Sequence, residues 1–218
     1  KILFLSFTPA YAGGAPLNLG SKGHYGRLSR KNTKNNEKNI KNIDKIKFYK
    51  QSDKSYNYKQ FYFAHKLFFD LVKKNPRFKF EIRLKFNNIF NKQIITSLCK
   101  KICGHIPSNL KFNKGNLWKS VEKSYFVCGY GSTGLLESSI LDKPIIQIIN
   151  EDLLDKAKLK KNLRISNHLD SFYVVKDKKK LNKAFNDLVI LNKKPKEFEI
   201  LNKRAKLAFI NFIFDYRK

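Results

Sequence analysis

The sequence contains no methionine, and its 218 residues include only three cysteines and one tryptophan. Three scattered cysteines are too few for a disulfide framework and fit a reducing compartment. A chain that starts at Lys1 and has no methionine leads us to expect a fragment of a longer protein. No apolar run approaches the ~20 residues that span a bilayer, and no charged segment followed by an apolar one marks a secretory signal.

Acidic residues are also scarce, because 17 Asp and Glu oppose 46 Lys and Arg and give a formal net charge of +29. Such a charge is typical of nucleic-acid-binding proteins. However, only seven of the basic residues are arginine, the side chain that nucleic-acid-binding proteins favour for contacts to phosphates and bases. The lysines are spread along the chain with 22 asparagines, which indicates AT-rich codon bias. We therefore do not expect nucleic acid as a partner, although a basic nucleic-acid-binding module is an alternative. The surface should attract anions.

The chain does contain enough apolar sequence for a core. A hydrophobic fraction of 42% and an aromatic fraction of 14% exclude an intrinsically disordered protein. Short apolar runs of strand length alternate with segments whose apolar residues recur at helical spacing. This alternation predicts an α/β fold, namely a Rossmann-like three-layer domain with a mainly parallel sheet and helices on both faces.

The predicted elements follow one another in a regular order. The strands are expected at 1–7, 78–85, 106–112, 124–130, 143–149 and 172–175. The helices are expected at 59–75, 91–103, 117–124, 132–142, 153–163, 178–191 and 196–214.

The composition divides the chain into three parts. Residues 1–27 hold the first strand and a loop rich in Pro and Gly, 28–58 form a Lys/Asn-rich mobile insertion, and 59–218 form the remainder of the domain. Gly13 and Gly14 in the first loop are candidates for contacts to the donor or acceptor of a transfer reaction. A flexible connector is the alternative, because no GxGxxG or GK[ST] pattern surrounds them.

The stretch 124–149 reads SYFVCGYGSTGLLESSILDKPIIQII and holds most of the candidate site residues. A strand runs into Gly131, and a helix begins at Ser132, Thr133 and Gly134. The backbone N–H groups at a helix start have no partner inside the helix, and here they point toward the carboxyl edge of the sheet, where ligands of such folds bind. Together with the two hydroxyls they would cradle a phosphate.

Glu137 lies three residues after Gly134 and shares its helix face. A carboxylate repels phosphate but accepts hydrogen bonds from ribose hydroxyls beside it. The alternative is structural, with Ser132 and Thr133 as ordinary helix caps and Glu137 gaining ~0.3–1 kcal/mol from the helix dipole. On these residues alone both interpretations stay open.

The segment GSTGLLESSILDKPII resembles one in the C-terminal domain of GT-B-type glycosyltransferases that build surface and capsular polysaccharides, and in UDP-N-acetylglucosamine 2-epimerases. The shared pattern is a Ser/Thr/Gly cluster, a Glu three residues after the last Gly, then Gly-Lys-Pro and an apolar strand. The cluster Ser132–Gly134, Glu137 and the Lys-Pro pair at 143–144 match it. Asp142 stands where these families have Gly, a departure at the end of the helix.

The strand FKFEIRLK resembles the strand that in these families ends in an Arg or His facing the ligand, and it carries Arg83. An ion pair between Arg83 and Glu81 is the alternative. The resemblance thus implies contacts to the nucleotide diphosphate and ribose from six residues. They are Arg83, Gly131, Ser132, Thr133, Gly134 and Glu137.

The resemblance implies one half of a GT-B fold, in an enzyme that transfers a sugar from a nucleotide-diphosphate donor. An epimerase of the UDP-N-acetylglucosamine 2-epimerase type is one alternative, and a non-catalytic interaction domain, in which the 132–137 turn would be occluded, is another. We expect a glycan or lipid-linked acceptor, no metal and no cofactor. The catalytic residues are unknown and are expected on a missing N-terminal domain, so the isolated chain would bind without turnover. The expected location is the cytoplasm, with peripheral contact at the inner face of the plasma membrane.

Other reactive side chains suggest core positions. Cys99, Cys103 and His105 form a Cys-x3-Cys-x-His pattern, but it lacks the second pair of ligands of a zinc site, which favours cysteines buried in a helix. His65 lies on the apolar face of its helix and is expected to be a hydrogen-bonded residue at the edge of the core. Cys128 is expected in the core of a strand.

Overall fold

The computed structural model describes residues 1–6, 56–84, 89–113, 115–150 and 171–215. Within these ranges lie the strands β1 (Ile2–Leu5), β2 (Phe80–Arg83), β3 (Leu110–Asn113), β4 (Phe126–Gly129), β5 (Ile145–Ile148) and β6 (Tyr173–Val175). The helices are α1 (Tyr56–Lys74), α2 (Ile89–Cys103), α3 (Leu117–Glu122), α4 (Thr133–Ser138), α5 (Lys178–Phe185) and α6 (Lys196–Asp215). A 3-10 turn (Ser139–Leu141) continues α4, and a π-helical turn (Asn186–Ile190) continues α5.

The six strands form one parallel sheet in the order β3-β2-β1-β4-β5-β6. The chain starts in the middle of the sheet, proceeds outward to β3, returns to β4 beside β1, and then proceeds outward in the other direction. This reversal creates a topological switch point between β1 and β4, the place where open α/β sheets bind ligands. The Rossmann-like α/β fold that the alternation predicts is therefore confirmed.

The predicted elements are present wherever the chain is described, but their ends differ. Leu84 and Ile149 are buried although they lie just outside β2 and β5, because an apolar run can extend past the hydrogen-bonded ladder. Helix α1 begins three residues before the change in composition at Lys59. The predicted helix 153–163 and the loop with Gly13 and Gly14 lie outside the described residues, as does most of the predicted insertion.

Two clusters of buried side chains cover the two faces of the sheet, because successive strand residues point in opposite directions. On face A, strand residues such as Phe4 and Ile82 pack against α1, α2 and α5. On face B, strand residues such as Leu3 and Val127 pack against α3, α4 and α6. Helices on both faces make the domain three-layered, and they leave the carboxyl edge of the sheet as the place for a site.

An aromatic cluster on face A joins α1 to the central strand. The rings of Phe4 and Phe68 are stacked with their centroids 4.6 Å apart. The ring of His65 lies 4.9 Å from Phe4 and 4.0 Å from Phe61, centroid to centroid. His65 is fully buried, which is deeper than the position at the edge of the core that the sequence predicts.

Two hydrogen bonds fix the tautomer of His65. Its Nδ1 lies 2.8 Å from the carbonyl oxygen of Phe61, and its Nε2 lies 2.9 Å from the hydroxyl oxygen of Ser6. Because a carbonyl can only accept, Nδ1 carries the proton, and the Ser6 hydroxyl donates to Nε2. Burial, which lowers the pKa of His65 to about 3, keeps the imidazole neutral at neutral pH.

The three cysteines are buried free thiols, as the sequence predicts. Burial raises the pKa of Cys99 to about 12. His105, which follows the helical pair Cys99 and Cys103, is exposed.

We predict that His65 makes the fold sensitive to acid. Burial lowers the pKa of His65 from 6.5 to about 3. Between these pH values His65 is therefore protonated in the unfolded chain and neutral in the folded chain. Stability should fall as the pH drops from about 6.5 toward 3, by up to about 1.4 kcal/mol per pH unit from this residue. Urea unfolding between about pH 7 and 5 should show this loss in the parent chain and a smaller loss in His65→Gln. Equal losses in both would contradict the prediction.

Candidate functional site

Five residues form one row across the carboxyl edge of the sheet. The strand registers place Asn113 beside Arg83, Arg83 beside Leu5, Leu5 beside Gly129, and Gly129 beside Gln147. Leu5 packs in the face B cluster, so the alternation of strand residues places the whole row on that face. The row crosses the switch point between β1 and β4.

Helices α3 and α4 begin next to this row. A Cβ added to Gly134 would lie 3.1 Å from Leu5 Cδ1 and 3.3 Å from Leu117 Cδ2. Leu117 opens α3, and Gly134 is the second residue of α4. Leucine side chains thus fill the space beside Gly134, so packing requires a small residue there.

The turn between β4 and α4 requires two further glycines for different reasons. A Cβ on Gly129 would lie 2.7 Å from the carbonyl oxygen of Leu5, because β1 and β4 pair closely there. Gly131 has a φ of +57°, in the left-handed region, and no atom lies within 4 Å of its missing Cβ. Packing fixes the first glycine, and backbone conformation fixes the second.

Helix α4 lacks a side-chain cap. Ser132 occupies the N-cap position with extended backbone and is 8% exposed, yet its hydroxyl makes no hydrogen bond to the helix start. By contrast, Asn116 caps α3 and Asp177 caps α5 by accepting hydrogen bonds from backbone N–H groups. The capping role that the sequence left open for Ser132 is therefore not what the structure shows. The side chain of Thr133 lies outside the described part of the chain.

Arg83 ends β2 and donates a hydrogen bond from Nη1 to the carbonyl oxygen of Gly115, in the loop before α3. Partial burial lowers the pKa of Arg83, while the negative charges of Glu81 and Glu137 act to raise it. The guanidinium stays charged at neutral pH. Arg83 and Glu137 are thus close enough to interact electrostatically.

The alternative ion pair between Arg83 and Glu81 is not formed. Glu81 pairs with Lys1 instead, with Nζ and Oε2 2.7 Å apart. In the described part of the chain, Arg83 forms no ion pair with Glu137 either. The guanidinium therefore keeps N–H donors that these carboxylates do not use.

Asp142 has the backbone conformation of a glycine. It ends the 3-10 turn after α4 with a φ of 54°, in the left-handed region. Asp tolerates this region better than most residues. Its carboxylate pairs with Lys206 at 2.7 Å. The position where the resembled families carry Gly thus has the geometry that favours Gly.

The sequence analysis missed two polar residues of the row. Asn113 ends β3, and its side-chain amide forms hydrogen bonds to the carboxylate of Glu81 and to the backbone N–H of Gly115. Gln147 is only 1% exposed, and its Oε1 has no hydrogen-bond partner among the described residues. The sequence features that could have indicated them are a polar residue at the end of a strand, for Asn113, and a single polar residue in the apolar run IIQII, for Gln147.

Two kinds of feature are absent from the described ranges. No three His, Cys, Asp or Glu side chains there are grouped as metal ligands. None of the described helices is long and apolar enough to cross a membrane. In comparisons with known proteins, no protein-family model matches the chain, and no curated protein shows significant similarity to it.

We predict that alanine at Gly129 and at Gly131 has unequal costs. Gly131→Ala should cost about 1 kcal/mol of unfolding free energy, because only the left-handed backbone opposes it. Gly129→Ala should cost about 2–3 kcal/mol, because a Cβ cannot fit without displacing the backbone of β1. Urea unfolding of the two variants measures both values. A Gly129 variant as stable as the Gly131 variant would contradict the close pairing of β1 and β4.

Proposed function

We propose that the chain is the nucleotide-sugar-binding domain of a glycosyltransferase-like enzyme of surface polysaccharide biosynthesis. The observation that carries the proposal is that Arg83 ends β2 beside Leu5 at the switch point, and that Gly134, at the start of α4, packs on the same Leu5. Arg83 thus lies next to the glycine turn (Gly129–Gly134), and the resemblance assigns Arg83 and the turn to the diphosphate and Glu137 of α4 to the ribose. The glycine-like backbone at Asp142 also supports the resemblance.

Each part of the turn has a chemical task in this proposal. The uncapped N–H groups at the start of α4 and the hydroxyl of Ser132 donate hydrogen bonds to the diphosphate. Arg83 adds a positive charge and several N–H donors. Glu137 accepts hydrogen bonds from the ribose hydroxyls, one helical turn away from the phosphates.

Transfer of the sugar leaves negative charge on the nucleoside diphosphate. Arg83 and the N–H groups of the turn would stabilise this charge as the bond to the sugar breaks, and this requires no metal or cofactor. The acceptor would be a glycan or a lipid-linked sugar, and its deprotonating base would lie on a second domain. The net charge of +29 would favour the approach of an anionic donor.

Trp118 offers a direct readout of ligand binding. It is the single tryptophan of the chain, it is 40% exposed, and it follows Leu117, whose side chain lies beside Gly134. A ligand in the turn should therefore change its fluorescence. We predict saturable binding of at least one of UDP, GDP, CDP and CMP, with a micromolar to millimolar dissociation constant, and calorimetry should give the same constant.

We predict that Ser132→Ala and Glu137→Gln each weaken this binding about five- to tenfold, the effect of losing a hydrogen bond to a charged or polar ligand. Glu199→Gln, which changes an exposed carboxylate on α6, serves as the matched control and should leave the affinity unchanged. If no nucleotide binds, or if Glu199→Gln weakens binding as much as Glu137→Gln, the proposal is wrong. Tight, salt-sensitive binding of RNA in the absence of nucleotide binding would favour the nucleic-acid alternative.

A further inference from the structure

A buried carboxylate next to Arg83 anchors a hydrogen-bond network. Glu81 is 7% exposed and lies two residues before Arg83 on the same side of β2. Its Oε2 lies 2.7 Å from Lys1 Nζ, and its Oε1 accepts a hydrogen bond of 2.7 Å from Asn113 Nδ2. The same Nδ2 also donates to the hydroxyl of Ser120, at 2.8 Å.

The network returns to Arg83 through the loop after β3. The other amide atom of Asn113, Oδ1, accepts a hydrogen bond of 2.7 Å from the backbone N–H of Gly115. The carbonyl oxygen of Gly115 in turn accepts the hydrogen bond from Arg83. Glu81 is therefore connected to Arg83 through Asn113 and the backbone of Gly115.

The charge of Glu81 determines the direction of these bonds. Burial alone would raise its pKa, but the hydrogen bonds from Lys1, Ser120 and Asn113 outweigh this effect and hold the pKa below its usual value. An ionised carboxylate can only accept, so the NH₂ of Asn113 must face it. The carbonyl of the same amide is then left for Gly115, which fixes the loop whose carbonyl holds Arg83.

We infer that Glu81 and Asn113 are positioning residues that hold the guanidinium of Arg83 ready for the donor diphosphate. The inference rests on the proposed function. A free arginine side chain loses up to about 2 kcal/mol of rotamer entropy when a ligand orders it. The network orders it in advance, and such preorganisation increases affinity without adding a contact to the ligand.

The test compares UDP with uridine, which lacks the phosphates. Asn113→Ala in the full chain should weaken UDP binding about tenfold and leave uridine binding unchanged, so the preference for UDP falls about tenfold. Asn109→Ala is the matched control. Asn109 lies just before β3, at the opposite end of this strand from Asn113, and donates to the carbonyl oxygens of Val72, Asn75 and Phe78. Its replacement should therefore affect stability but not the position of Arg83. The control should keep the full preference for UDP.

A double-mutant cycle distinguishes positioning from a separate contact. If Asn113 acts through Arg83, then Asn113→Ala should have no further effect on UDP affinity in the Arg83→Ala background. If the two effects are additive, or if Asn113→Ala leaves the preference for UDP unchanged, the inference is overturned.

Glu81→Gln keeps the test decisive if Asn113→Ala does not fold. The glutamine retains the size and an accepting oxygen but loses the charge that orients the amide of Asn113, so the preference for UDP should fall in the same direction by a smaller factor. An unchanged preference in folded Glu81→Gln overturns the inference. If the parent chain binds UDP and these variants keep its full preference for UDP over uridine, only the positioning role is refuted. If the parent chain binds no nucleotide, the proposed function is refuted, and this inference with it.

Discussion

The parallel pairing of β1 with β4 is the contact on which the rest of the structure depends. It joins the two halves of the sheet, which the chain builds in opposite directions, and so creates the switch point. The close approach of Leu5 and Gly129 leaves no space for a side chain at residue 129. Because the glycine turn starts from this pair, the position of α4 and of its uncapped start follows from the same contact.

The two faces of the sheet differ in chemistry at its carboxyl edge. Face A is closed by aromatic packing and by His65, which burial keeps neutral. Face B carries the charges of Glu81, Arg83 and Glu137 close to one another. The neutral side stabilises the fold, and the charged side is where we propose that the nucleotide binds.

The order of strands and helices could be predicted because hydrophobic periodicity is local, as in FKFEIRLK. The order of strands in the sheet could not, because the pairing of Leu5 with Gly129 joins residues far apart in sequence. The glycine turn was identified because Gly and small residues mark turns. The missing cap at Ser132 was not foreseeable, since Ser at this position usually caps a helix. The role of Asn113 depends on Glu81, on another strand, and no local pattern reveals it.

The central claim is that a nucleoside diphosphate binds at the turn between β4 and α4, and amide chemical shifts measured by NMR during a titration with UDP test it most directly. The account predicts that the largest shifts occur at the backbone amides of Gly131, Ser132 and Gly134, together with the side-chain signals of Arg83. Shifts confined to exposed lysines on α5 and α6, or no shifts at saturating UDP, GDP or CDP, would contradict it.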